Sequence, residues 1–100
     1  MLEKLYQNNN FKVAMLSLKA NQSIPSHKTA SEVYFIVVKG KGQISFSDRQ
    51  FELLEFTSII IPSAEIHKVD AYEDLRALLV ITDQAAGKAG SKNSEPASGP

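Results

Sequence analysis

Residues 27–42 read HKTASEVYFIVVKGKG, and residues 59–67 read IIIPSAEIH. Each stretch joins an apolar run to one of the chain's two histidines, His27 and His67. The six residues VYFIVV at 33–38 are β-branched, aromatic or apolar, and their length and composition favour a strand over a helix. Apolar residues at every position of such a strand call for burial on both faces. Gly40 and Gly42 then mark a tight turn. Pro62 closes the isoleucine run because it cannot donate to a ladder. The two runs are expected to lie side by side in one small β-barrel.

Working outward, residues 43–46 (QISF) alternate cleanly, residues 47–50 (SDRQ) form a hairpin turn, and residues 51–54 (FELL) return. Residues 66–69 restart a strand, and residues 72–74 turn again. The seven residues LRALLVI at 75–81 fit helix or strand by pattern, and their length favours strand. Before the central stretch, residues 11–18 read FKVAMLSL. Phe11, Val13 and Met15 alternate with Lys12 and Ala14, while Leu16 and Leu18 fall out of phase, which calls for a bulge or burial on two sides. Residues 4–6 suit a short edge strand, and the QNNN that follows is turn chemistry. Residues 20–26, ANQSIPS, read as a loop in which Pro25 biases Ile24 to an extended form. Short strands at regular spacing with no long helix mean an all-β sandwich or barrel over residues 1–82. Residues 83–100 hold no large apolar side chain and are expected to be a flexible tail, with a short helical turn over 84–89 as the alternative.

Composition narrows the function. One hundred residues make one domain with one modest core. Eleven basic and eleven acidic residues cancel, so no charge field recruits nucleic acid or an anionic membrane. Zero cysteines exclude disulfides, thiolate metal sites and a cysteine nucleophile. The first residues lack the apolar core of a signal peptide, and no apolar run is long enough to span a bilayer, so the expected location is the cytoplasm. No phosphate loop, nucleophile elbow or dinucleotide fingerprint occurs.

Over residues 10–82 the chain resembles a small single-domain cupin. The resemblance rests on the IPSH entry, the SEVYFIVVKGKG strand and turn, and IIIPSAEIH. It implies an antiparallel barrel of jelly-roll type with little or no helix. The family's first motif runs G, five residues, H-x-H, three or four residues, E, six residues, G. The second runs G, five residues, P-x-G, two residues, H, three residues, N. The two early histidines, the glutamate and the last histidine usually hold one divalent metal. His27, Gly40, Pro62 and His67 match these motifs. Thr29 stands at the second histidine and Val33 at the glutamate, with Glu32 one residue early. Asn21, Phe56 and Ala64 replace motif glycines, and Ala71 replaces the final Asn.

Two imidazoles suit a divalent transition metal, yet two protein ligands fall short of the usual three or four. Glu32 joins His27 and His67 only if a bulge turns it inward. Val33 instead adds an apolar wall. The expected ligand pocket is therefore His27, Thr29, Val33, Phe35, Val37 and His67, holding a small, mostly apolar molecule without a cofactor and without catalysis. No catalytic residue is assigned. The alternative is a metal-dependent enzyme, a dioxygenase or isomerase on a small organic substrate, using His27 and His67. Tyr34, Ile36 and Val38 should then face outward, and covering that stripe calls for a homodimer. Glu65, Asp70, Glu73 and Asp74 gather near His67 in sequence and read first as solvated charges. Arg49 and Arg76 are the only arginines, and either suits a carboxylate.

Overall fold

The computed structural model describes residues 1–82. The expected tail at 83–100 lies outside the described residues. Nine strands follow one another: β1 (Leu2–Gln7), β2 (Phe11–Leu18), β3 (Ser23–His27), β4 (Val33–Lys39), β5 (Gly42–Phe46), β6 (Gln50–Leu53), β7 (Ser58–Ile61), β8 (His67–Ala71) and β9 (Leu75–Thr82). They build a five-stranded sheet, β1-β2-β9-β4-β7, and a four-stranded sheet, β3-β8-β5-β6. Every pairing is antiparallel. The expected all-β architecture is the one the chain adopts, with no helix among the described residues. None of these residues forms a helix long and apolar enough to cross a membrane.

The sheets face each other across one core. Its buried centre includes Phe35 and Val37 on β4, Ile44 on β5, Leu53 on β6, Val69 on β8 and Leu75 on β9. Strand β2 runs unbroken against β9, from Phe11 opposite Thr82 to Leu18 opposite Leu75. No bulge therefore interrupts β2 along β9, and the strand meets apolar surroundings on two sides. Its inward residues are Ala14, Leu16 and Leu18, all buried. Phe11, Val13 and Met15, which open the alternation in sequence, face outward. The longer-range packing of Leu16 and Leu18 decides the phase, because a period of two admits either face.

Residues 20–26 are not wholly loop. Ser23–His27 is a strand, β3, paired with β8 at the edge of its sheet. Pro25 is tolerated there because an edge strand has ladder positions whose N–H needs no partner. A second departure lies at Val38. The register of β4 against β9 shifts between Val37 and Lys39, so Val38 sits at a bulge rather than in a clean outward stripe.

Three non-glycine residues have left-handed backbone: Asn21 (φ 70°), Phe56 (φ 66°) and Ala64 (φ 64°). These are the three positions where the resembled family carries glycine. Each tip donates its N–H to a distant backbone carbonyl: Asn21 to Ala71 at 2.8 Å, Phe56 to Val37 at 2.7 Å and Ala64 to Thr29 at 2.7 Å. Left-handed backbone costs an L-residue about 1–2 kcal/mol, and a backbone hydrogen bond returns roughly 1 kcal/mol. Phe56 is 83% exposed, so its ring recovers little of the cost by burial. Gly40 is the fourth such tip (φ 93°), and a Cβ there would lie 2.1 Å from the carbonyl oxygen of Asp74.

Phe56→Gly is expected to raise the unfolding free energy by about 1 kcal/mol, measured by urea titration; a loss of stability would show that the ring is anchored. By the same measurement Gly40→Ala should lose more than about 2 kcal/mol, and a neutral result would mean that the β8–β9 turn yields freely.

Candidate functional site

The site begins with the bulge in β3. Ile24 pairs with Val69 and His27 with His67, so three steps on β3 match two on β8. The extra residue turns both Ile24 and His27 toward the barrel interior, although three positions apart on a regular strand would face opposite ways. His27 then stands directly across from His67, which in turn stands across from Phe46 on β5. The imidazole centroids are 4.5 Å apart.

Both rings are held by the same local device. His27 Nδ1–H donates to the carbonyl of Pro25 at 2.9 Å, and His67 Nδ1–H donates to the carbonyl of Glu65 at 3.0 Å. A carbonyl only accepts, so the proton sits on Nδ1 in each ring, and the neutral imidazole keeps its lone pair on Nε2. His67 is buried, whereas His27 is exposed at the barrel mouth. Thr29, between them and β4, uses its hydroxyl hydrogen on the carbonyl of Ser31 at 2.9 Å.

These groups border a cavity of about 360 Å³. Of its fourteen lining residues eleven are apolar, and His27, Thr29 and His67 are the polar three. The five-stranded sheet supplies most of the far wall through Leu16, Val33, Phe35, Leu79 and Ile81. Met1 and Leu2 lie along the rim. Of the expected pocket residues, five line the cavity: His27, Thr29, Val33, Phe35 and His67. Val37 does not. It is fully buried two residues further along β4, in the filled part of the core. Side chains there interdigitate from both sheets, and the cavity lies toward the histidine end.

Sequence reasoning missed Ile24, Val69, Leu79 and Ile81. The available signal was the ladder phase on β9 and β8, but Ile24 needed the bulge, which nothing in the residue pattern announces. Glu32 does not reach the wall. It precedes β4, and its carbonyl accepts the N–H and the hydroxyl of Thr82 at 3.1 and 3.0 Å. The register shift in β3 lies upstream of it, so the inward turn that Glu32 required does not occur. The acidic residues near His67 in sequence disperse as well. Asp70 accepts the hydroxyl of Ser23, Asp74 accepts the N–H of Ala20, and Glu65 pairs with Arg49.

That last pair braces the site. Arg49 reaches both oxygens of Glu65, at 2.6 and 2.9 Å, and its guanidinium carbon lies 4.2 Å from the centre of the Phe46 ring. The β5–β6 turn is thereby clasped to the loop whose carbonyl orients His67. The hydrogen bonds from Arg49 hold the Glu65 carboxyl below its ordinary range, opposed by partial desolvation. The same bonds push the guanidinium further up.

A family model described as mannose-6-phosphate isomerase C-terminal matches residues 1–89. This chain belongs to that family, a cupin-type domain. Solved cupins share the fold. An RmlC-like cupin from Desulfovibrio desulfuricans is 25% identical, with a TM-score of 0.74 over 82% of this chain and 80% of that one. An RmlC-like cupin with a double-stranded β-helix from Methanocaldococcus jannaschii is 18% identical, with a TM-score of 0.76 over 86% and 82%. KdgF from Halomonas sp. is 12% identical, with a TM-score of 0.76 over 81% and 76%. No curated protein sequence matches the chain.

The residues present do not fit the metal that many cupins hold. Among the described residues no three His, Cys, Asp or Glu side chains gather. Buried Val33 occupies the position of the family's carboxylate on the inner face of β4. Two imidazoles with an alkyl neighbour leave a divalent ion short of ligands and of charge compensation.

The Arg49–Glu65 clasp gives a pH signature. A carboxyl held low contributes stability above its unfolded pKa and loses it as pH falls through the folded value. The melting-temperature gap between wild type and Glu65→Gln is expected at neutral pH and should close as pH falls below the ordinary glutamate range. The gap will be modest, because the pair is part exposed and screened. A gap independent of pH would sink this assignment.

Proposed function

We propose that this cupin binds a small, largely apolar molecule in the histidine end of the barrel and carries out no chemistry on it. The observation that supports the reading most is the composition of the wall: eleven apolar side chains, with the polar ones confined to His27, Thr29 and His67. A cavity of about 360 Å³ lies at the small end of ligand pockets, roughly 300–1,000 Å³. An apolar body would fill the space between Val33, Phe35, Leu79 and Val69. A hydroxyl or N–H on that body would donate to an imidazole Nε2, since both Nδ1 atoms are engaged. Such a polar contact at one end fixes orientation, while the burial of alkyl or aromatic surface supplies affinity at about 25 cal/mol per Å² before the costs of association.

The family description names an isomerase of a sugar phosphate. A phosphate dianion and several hydroxyls set against this wall would lose hydration with few partners to replace it. The enzyme KdgF and a DMSP lyase from Ruegeria pomeroyi share the fold, but at 12% and 15% identity the fold is all that the likeness carries. A metal-dependent activity at His27 and His67 is the reading that the test below separates.

Calorimetric titration with indole and with octan-1-ol is expected to give saturable binding to the wild type. Ile24→Trp, which fills the cavity from the edge strand, should abolish it while leaving the far-ultraviolet spectrum unchanged. His67→Ala should weaken octan-1-ol but not an isosteric alkane. Binding that survives Ile24→Trp would place the ligand elsewhere. Near-stoichiometric nickel, zinc, manganese or ferrous iron in wild-type protein, absent from His67→Ala by mass spectrometry, would overturn the reading in favour of the metal-dependent enzyme.

A further inference from the structure

The polar side chains in the cavity wall offer acceptors and no donor. Both imidazoles spend Nδ1–H on the carbonyls of Pro25 and Glu65. Nε2 is the ring nitrogen left for the cavity, with a lone pair and no hydrogen. The Thr29 hydroxyl spends its hydrogen on the carbonyl of Ser31 and keeps only oxygen lone pairs. Strands β2, β4, β8 and β9 each lie between two neighbours, so their N–H groups are used in the ladders. At the rim, the Met1 amine donates to the carbonyl of Ser17, which does not line the cavity. No lining side chain is a carboxylate, a lysine or an arginine. Among the described residues no side chain donates to either Nε2 or to the Thr29 oxygen. His67 is only 4% exposed. A buried acceptor without a donor costs stability, and whatever fills the space must supply the donor.

We propose that the ligand carries two hydrogen-bond donors on one uncharged nitrogen, as a primary aromatic amine does. The proposal rests on the reading above, that a small apolar molecule fills the cavity, and names the class of that molecule. An amino group whose two N–H bonds each reach an acceptor at about 3 Å holds those acceptors about 5 Å apart. The imidazole centroids, at 4.5 Å, stand at a comparable spacing. An alkylammonium also brings donors, but it brings a charge that the wall cannot balance. Glu65, the acid nearest His67 in sequence, is already engaged by Arg49. An amine joined to an aromatic ring stays unprotonated at neutral pH, because its lone pair is delocalised into the ring. For the same reason it is a poor acceptor, which suits a wall with nothing to donate. A hydroxyl would reach one imidazole and leave lone pairs of its own unpartnered. A carboxylate or phosphate would set lone pairs against lone pairs. Size favours two fused rings, since an engineered cavity of about 150 Å³ accepts benzene and this one measures about 360 Å³. Phe35 offers such a ring an aromatic neighbour.

Fluorescence titration of the wild type with 2-naphthylamine should show binding about ten-fold tighter than with naphthalene or 2-naphthol. Each N-methyl group removes one donor. N-methyl- and N,N-dimethyl-2-naphthylamine should therefore weaken stepwise, the second matching 2-isopropylnaphthalene, which has a similar shape and no nitrogen. These comparisons need no variant, so misfolding does not confound them. His27→Phe, at the exposed mouth, should narrow the gap between the amine and naphthalene while leaving naphthalene unchanged. Equal affinity across the series overturns the donor requirement and leaves the apolar cavity reading standing. No binding by any member overturns both. Tighter binding of 2-naphthoate or of 2-naphthylmethylammonium overturns the proposal in favour of an anion or a cation.

Discussion

Closure of this barrel depends on backbone amides at three left-handed turn tips. Asn21, Phe56 and Ala64 each carry a φ near +65° and each donate an N–H across the fold, to Ala71, Val37 and Thr29. Those bonds fix where one strand ends relative to another. Phe56 anchors the start of β7 against β4, and the Val37 N–H returns a bond to the carbonyl of Thr57 at 2.9 Å. Ala64 holds the loop before His67 against the segment that carries Thr29. Asn21 ties the entry of β3 to the end of β8, where Ala71 donates back to Gln22. Glycine would adopt these angles at no steric cost. The chain keeps the geometry without glycine, so tertiary hydrogen bonding over-determines a conformation that the local residues resist.

The same three ties set the histidine pair. With β3 pinned at Asn21, its extra residue near Pro25 is absorbed as a bulge rather than a slip of the whole strand, and His27 arrives opposite His67. Each imidazole is then oriented by the carbonyl two residues before it. The Arg49–Glu65 clasp steadies the His67 side through the loop that provides one of those carbonyls. The histidine end of the barrel therefore holds two imidazoles side by side, with Thr29 and Val33 on the same cavity wall. An imidazole pair against alkyl walls favours a neutral, amphiphilic occupant over a hard cation.

Burial is uneven between the two sheets. In the four-stranded sheet β5 and β8 alternate, with Ile44 and Val69 inward and Gln43, Lys68 and Asp70 outward or part exposed. The five-stranded sheet is apolar on both faces, and only its inner face is spent on the core. A protein this small has one core to form. A second apolar face of that breadth adds nothing to the monomer and carries an aggregation hazard unless another surface covers it.

Much of the fold was legible in the residues themselves. The runs 33–38 and 59–61 declared strands through their β-branched and aromatic residues, although the burial expected on both faces holds only for the inner one, and Tyr34 and Ile60 stay about half exposed. QISF and its return at FELL declared a hairpin through alternation and turn chemistry. His27 and His67 stood out because they are the only histidines, each beside such a run. Tertiary structure alone decided the rest. Ile24–Pro25–Ser26 became strand because β8 offered an edge, which no local propensity expresses. The inward face of β2 was Leu16 and Leu18 rather than Val13 and Met15, because a period of two leaves the choice of face to the opposing sheet. Val37 lay outside the cavity because the depth of a hollow depends on how side chains from two sheets interdigitate. Glu32 stayed off the wall because the register shifts on either side of it, in β3 before His27 and in β4 after Val37, leave the stretch that carries it unshifted. Pattern along the chain sets which positions can be buried; only packing across the barrel sets which buried positions face a ligand.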